Sequence, residues 1–245
     1  MIERLEAQMR AMQMLSKTQD ITADNLANIN TPGFKGNKVF YQMVKEQVDG
    51  KEVTRTVPMQ QVDMTQGVLE ATDNKFDFAI KGEGFFMVEG QNGRQLTRDG
   101  RFSIDTDGYL VDGNGGRVIG NSGPINMPDY IKASGRNNKS AEIEVATDGT
   151  IRIDEEVFDK IMTVEVKDTS RLERQGSNYF AVREEQLVED HSSSIMQGYY
   201  EKGNVNPLNE MVDMMKTVKM FESQQRAIRT TDEMLSQATS KLGQF

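Results

Sequence analysis

The sequence predicts an α+β chain: N- and C-terminal long helices pairing as a coiled coil, with a central all-β domain of short strands. Three observations predict it. Apolar residues recur at helical spacing at both ends. Asn-Gly and Asp-Gly dipeptides punctuate the middle. Neither terminal stripe can be buried by its own helix, so the ends must find each other or further subunits. The expected divisions are a helix over 1–30, an extended connector over 31–70, a β-rich outer domain over 71–200 and a second helix over 201–245.

In the first helix, Ile2, Leu5, Met9 and Met12 follow 3-4-3 spacing and Leu15 continues the face. No Pro or Gly precedes Pro32, and the run from Asn28 to Gly33 reads as a stop. The predicted helix of about 27 residues is roughly 40 Å long. Asn25, Asn28 and Asn30 are expected to serve the turn at Pro32 and Gly33, since their side chains bond nearby backbone.

The polar connector carries Val53, Val57 and Val62 among polar residues, an extended pattern. Beyond it, turn dipeptides include Asn92-Gly93, Asp99-Gly100, Asp107-Gly108, Asp112-Gly113, Asn114-Gly115 and Asp148-Gly149. They separate short strand candidates: 76–80, 85–88, 95–97, 102–104, 109–111, 143–145, 151–153, 162–166 and 179–182. At the C-terminus, Met214, Phe221, Ile228, Leu235 and Leu242 recur every seven residues. Met211 and Val218 occupy companion positions, which Gln225 and Asp232 interrupt. Pro207 suits the first turn.

Composition excludes several functions. The net charge of −9 argues against nucleic acid as partner, because phosphate binding needs a basic patch. With no cysteine there is no disulfide, thiolate metal site or Cys nucleophile. The acidic start lacks the apolar run of a cleavable signal peptide, and no stretch approaches the ~20 apolar residues of a membrane span. The sole histidine, His191, lies in an acidic, Ser-rich stretch that reads as a solvated loop. Asp105, Asp107 and Asp112 hint at a calcium loop, but Leu110 and Gly116 stand where that loop needs Gly and Glu. The Gly-rich run 113–118 lacks the final Gly of a dinucleotide fingerprint. No catalytic residue, cofactor or metal site is expected, and the chain reads as no enzyme. The rival class is a soluble β-module, such as a carbohydrate binder, with helical dimerisation ends; the lack of Trp weakens it.

Three stretches together resemble the rod and hook family of bacterial flagellar axial proteins. The first runs from Ala23 to Lys35 and contains Asn25, Asn28, Asn30, Thr31, Pro32, Gly33 and Phe34. The second runs from Phe78 to Val88, followed by Leu96-Thr97-Arg98-Asp99-Gly100-Arg101-Phe102. The third runs from Gly198 to Asn206 and on into Glu210-Met211-Val212. They cover both ends and the middle, in the family's order. The resemblance implies terminal helices lining an axial structure, outer β-domains, and assembly with itself, other rod subunits and hook-side axial proteins. It also implies a place in the periplasm-spanning rod of the basal body, reached through the flagellar type III export apparatus without signal cleavage. The expected function is a structural subunit of a helical drive shaft that transmits torque from motor to hook. Residues 63–69 and 123–128 resemble proximal-rod members more than distal-rod ones, while Phe78–Val88 and the C-terminal junction fit either. The expected assembly residues are Leu5, Met9, Met12, Met211, Met214, Val218, Phe221, Ile228, Leu235 and Leu242.

Overall fold

The computed structural model describes residues 2–48, 51–90, 93–127, 143–181, 184–190 and 192–242. Pro128, Val182 and His191 lie outside these, as do the side chains of Leu5, Leu235 and Leu242. The chain divides into two compact units. One comprises Met1–Ala27, Asn37–Gln61 and Val205–Phe245; the other comprises Asn28–Gly36 and Val62–Asn204.

The first unit holds helix α1 (Ile2–Ala27), a two-stranded sheet of Asn37–Val48 with Lys51–Val62, and helix α2 (Pro207–Leu242). The stretch expected as a connector thus carries two twelve-residue strands. Helix α2 starts where it does because the Asn206 side chain accepts from the Leu208 and Asn209 amides at 3.0 and 3.3 Å. Its backbone carbonyl accepts from Glu210 N at 3.1 Å. Pro207 occupies the first turn, where a missing N–H costs nothing.

The expected coiled coil requires correction. α1 and α2 are in contact, but no continuous apolar seam joins them. Along α2 the shielded side chains include Met214, Phe221 and Ile228, alternating with Glu210, Thr217, Gln224 and Thr231. Along α1 they include Gln8, Met12, Leu15, Thr18, Thr22 and Asn25. A coiled coil needs apolar residues at both a and d; along α2 one of the two rows is polar. Threonine tolerates this position because its hydroxyl bonds back into its own helix. Thr18, Thr22 and Thr217 donate to the carbonyls of Met14, Thr18 and Asp213 at 2.8–3.0 Å.

The second unit is built on an antiparallel ten-stranded sheet whose central strand is Phe85–Gly90. That strand pairs with Gly93–Thr97, Arg117–Gly120 and Thr163–Val166. Its run of four apolar residues is the pattern of a strand covered on both faces. Side chains alternate across the sheet, so Phe86 and Val88 enter one core with Phe78, Phe102 and Ile125. Phe85 and Met87 enter another with Leu96, Val164 and Phe180. Phe86 meets Phe102 edge-on at 5.2 Å, and Phe85 meets Phe180 likewise at 5.9 Å. All nine strand candidates overlap observed strands.

Gly100 serves close approach. A Cβ there would lie 1.8 Å from the Phe78 carbonyl oxygen, whose own amide donates to Gly100 O at 2.9 Å. Gly113, in a neighbouring turn, has open space around it. Gly100→Ala should therefore cost at least ~2 kcal/mol, and Gly113→Ala no more than about 0.5 kcal/mol. Urea unfolding monitored by circular dichroism checks the contrast.

Candidate functional site

The three stretches that carry the family resemblance meet at one buried carboxylate in the second unit. Glu201, wholly shielded from water, accepts at Oε1 from Lys35 Nζ at 2.6 Å and from the Gly67 amide at 2.7 Å. At Oε2 it faces Arg98 Nη1 at 3.4 Å. Lys35 and Arg98 are 1% and 3% exposed. Lys35 also donates to Thr65 O at 2.8 Å, and the Arg98 guanidinium lies over the Phe85 ring at 4.8 Å.

The backbone closes around this cluster. Glu201 lies in the strand Tyr199–Glu201, paired with Leu69–Ala71. Its carbonyl accepts from Gly33 N at 2.7 Å. Gly33 needs to be glycine twice over: its φ is 67°, and a Cβ would lie 2.3 Å from the Asp99 amide. Asn204 works as a four-way clasp, accepting from Gly36 N at 2.7 Å and donating to Asp63 O, Thr65 O and Thr65 Oγ1. Phe34 is buried beneath the Arg174 guanidinium at 4.6 Å, and Arg174 also donates to Lys35 O. Segments 28–36 and 198–204 are thereby tied together.

The signature asparagines divide their work. Asn28 O accepts from Thr31 N at 2.9 Å, and its side chain meets Thr31 Oγ1 at 3.3 Å. Asn30 stands exposed. Asn25, expected to serve the same turn, instead belongs to the first unit. Its amide donates to Asn37 O at 2.9 Å and accepts from Asn37 N at 2.8 Å, anchoring the start of the long strand pair to α1. Pro32 is buried. Among the assembly residues, Met12, Met214, Val218, Phe221 and Ile228 are half-buried, whereas Met9 and Met211 are 51% and 48% exposed. Lys35, Arg98, Glu201 and Asn204 were absent from the expected site residues. Each lies in one of the resembling stretches, but among several other charged or amide residues, so the sequence did not single them out.

The aspartates of the apparent calcium loop are committed to turns. Asp105 Oδ1 accepts from the Asp107 and Tyr109 amides at 2.9 and 2.8 Å, and Asp112 Oδ1 from Asn114 and Gly116 at 2.9 and 2.8 Å. No metal-holding cluster occurs among the described residues. Nor is any described helix long and apolar enough to cross a membrane.

A scaffold of buried, mutually paired charges, without a metal-holding cluster among the described residues, reads as a structural protein. Comparison with known families agrees. Residues 5–35 match the flagella basal body rod protein family, 79–153 the D1 domain of flagellar hook protein FlgE/F/G, and 196–241 the C-terminal region of flagellar basal body rod FlgEFG proteins. The flagellar basal-body rod protein FlgF of Escherichia coli K12 is 32% identical over 95% of this chain and 94% of its own length. FlgF of Salmonella typhimurium LT2 is 32% identical over 91% of each. FlgG of Buchnera aphidicola from Acyrthosiphon pisum is 30% identical over 88% of this chain and 90% of its own. The chain belongs to the flagellar basal-body rod protein family and is a structural subunit of the rod.

Two predictions follow from the charge cluster. Glu201→Gln leaves two buried cations without their anion and should cost about 3–5 kcal/mol, read as a lowered urea midpoint. The second concerns pH. Burial pushes the Lys35 ammonium below its ordinary 10.5, Arg98 adding to the effect and Glu201 opposing it. Between the lowered folded value and the ordinary unfolded one, the unfolded chain binds more protons, so unfolding free energy rises with pH. Burial and Asp112 push the Tyr179 phenol above its ordinary 10.0, so its contribution is complete below pH 10 and lost above it. Stability should therefore climb in the alkaline range up to about pH 10 and then fall. Lys35→Met should flatten the climb and Tyr179→Phe should shrink the fall, in urea titrations across that range.

Proposed function

We propose that this subunit polymerises into the helical drive shaft that carries torque from motor to hook, with the helices and long strand pair as its assembly surface. One observation carries the reading. Among the described residues, Ile21 is the only buried hydrophobic side chain of the first unit, while the second unit has the rest. A unit with so little core of its own depends on neighbours. Its apolar surface is also organised. Leu208, Met211, Val212 and Met215 are 72, 48, 43 and 57% exposed and stand at i, i+3, i+4 and i+7, one face of α2. The strand pair exposes Phe40, Tyr41, Met43, Val57 and Met59. Patches of this kind mark interaction sites, and methionine adapts to several partners.

Within this reading, Leu5, Met9, Met12, Met211, Met214, Val218, Phe221, Ile228, Leu235 and Leu242 contribute to packing within and between subunits. Hook-side axial proteins and other rod subunits are the partners. The chain reaches the rod through the flagellar type III export apparatus. The proximal rod is the favoured position; the FlgF relatives at 32% identity over more than nine-tenths of their length support it.

Imaging basal bodies from a strain lacking this chain tests the role. A rod that stops short, without a hook and without distal-rod subunits, is expected. An intact proximal rod would move the subunit to the distal position, and complete rods with hooks would sink the reading. The surface itself is tested by Met211→Asp with Met215→Asp. Both side chains are exposed, so stability should change by less than about 0.5 kcal/mol per site, while swarming on soft agar is lost.

A further inference from the structure

Two apolar features of the β-rich unit remain open to solvent, and they differ in shape. One is a knob. Strands Thr150–Ile153 and Glu156–Lys160 form a tight hairpin through Asp154 and Glu155, with φ of 50° and 72°. Arg152 pairs with Val157, and Ile151 pairs with Asp159, so Phe158 is the extra residue of a β-bulge. A regular pleat would send Val157 and Phe158 to opposite faces. The bulge breaks that alternation, and both stay exposed, at 68% and 44%.

The other feature is a hollow of about 340 Å³ floored by Met87, Ile119, Met162 and Leu187. Arg94, Asn121 and Glu189 stand at its rim, all exposed. Its size is at the low end for a ligand pocket, and the floor lacks the convergent polar groups that orient a small molecule. It suits one or two apolar side chains.

We propose that Val157 and Phe158 of one copy of this chain seat in this hollow on a second copy. The inference rests on the rod reading above. A subunit that builds an open helical assembly needs two different, complementary patches, because a self-complementary patch closes into a dimer. A knob and a hollow on one unit meet that requirement. Both patches carry charges of both signs around their apolar centres: Arg152, Glu155, Glu156 and Lys160 on the knob, Arg94 and Glu189 on the rim of the hollow. The net charge of −9 makes copies repel at a distance, so the contact must be apolar at its centre. Edge-to-edge strand pairing is disfavoured, since Glu156, Asp159 and Lys160 lie along the outer strand.

The cysteine-free chain makes the test specific. Phe158→Cys and Val188→Cys are made as separate chains and co-expressed; Val188 lines the hollow and is 41% exposed. Each chain then holds one thiol, so any disulfide joins two copies. After mild oxidation of purified basal bodies, a reducible dimer is expected from the mixture and not from either variant alone. Rods that assemble with both variants yet give no mixed dimer overturn the contact and leave the rod reading intact. Absence of the wild-type chain from basal bodies overturns both. A further variant, Phe158→Asp, should leave the urea midpoint unchanged and lower swarming several-fold; unchanged swarming also overturns the contact.

Discussion

Glu201 is wholly buried and shared by two buried cations, and the rest of the β-rich unit is arranged so that this can hold. A carboxylate removed from water is costly unless every lone pair finds a donor. Lys35 and the Gly67 amide serve one oxygen, and Arg98 faces the other. Those three donors come from widely separated parts of the sequence, so their meeting requires the N-terminal signature, the central sheet and the C-terminal junction all to be in place. The close backbone packing of Gly33 against Asp99, and of Gly67 against the Lys202 carbonyl, is what lets the charges approach. A β-branched or even an alanine side chain at either glycine would push the cluster apart.

An apolar cluster could have filled the same space, and replacing buried ion pairs with well-packed hydrophobes is often neutral or stabilising. Charge differs from apolar packing in its selectivity. A leucine tolerates any apolar neighbour, whereas Glu201 buried beside the wrong residue leaves an unpaired charge. The cluster therefore penalises misplacement of segments 28–36 and 198–204 far more steeply than an apolar core would. Those segments continue through the backbone into α1 and α2.

Much of the β-rich unit was legible. Its turn dipeptides and short apolar runs gave nine strand positions, Phe85–Val88 among them. Glu156–Lys160 and Leu187–Glu189 were not legible, because they pack little and carry charges that read as loop. Lys51–Val62 was legible only as an extended stretch, and Asn37–Val48 was hidden because it exposes Phe40, Tyr41 and Met43, so no in-out alternation marks it. The coiled coil failed on its companion row. Met214, Phe221 and Ile228, spaced by sevens, are half-buried, but the other shielded row falls on Thr217, Gln224 and Thr231. Apolar pattern alone cannot see a row whose threonine hydroxyls are satisfied by their own helix. The charge cluster was half-legible: the stretches were recognised, while the pairing of Lys35, Arg98 and Glu201 depends on contacts across more than a hundred residues.

The polar row and the exposed stripe on α2 have one physical consequence. A helix pair that buried all its apolar residues internally would have nothing left to offer a neighbour. Here Met214, Phe221 and Ile228 share the shielded face of α2 with Thr217, Gln224 and Thr231, and Leu208, Met211, Val212 and Met215 are left on the outside. Such a surface gains more from a crowded assembly than from a dilute monomer, because apolar burial scales with area removed from water. The two units thus divide the thermodynamic work. The β-rich unit carries its own core and its own charge network, while among the described residues the helical unit buries one hydrophobic side chain, Ile21.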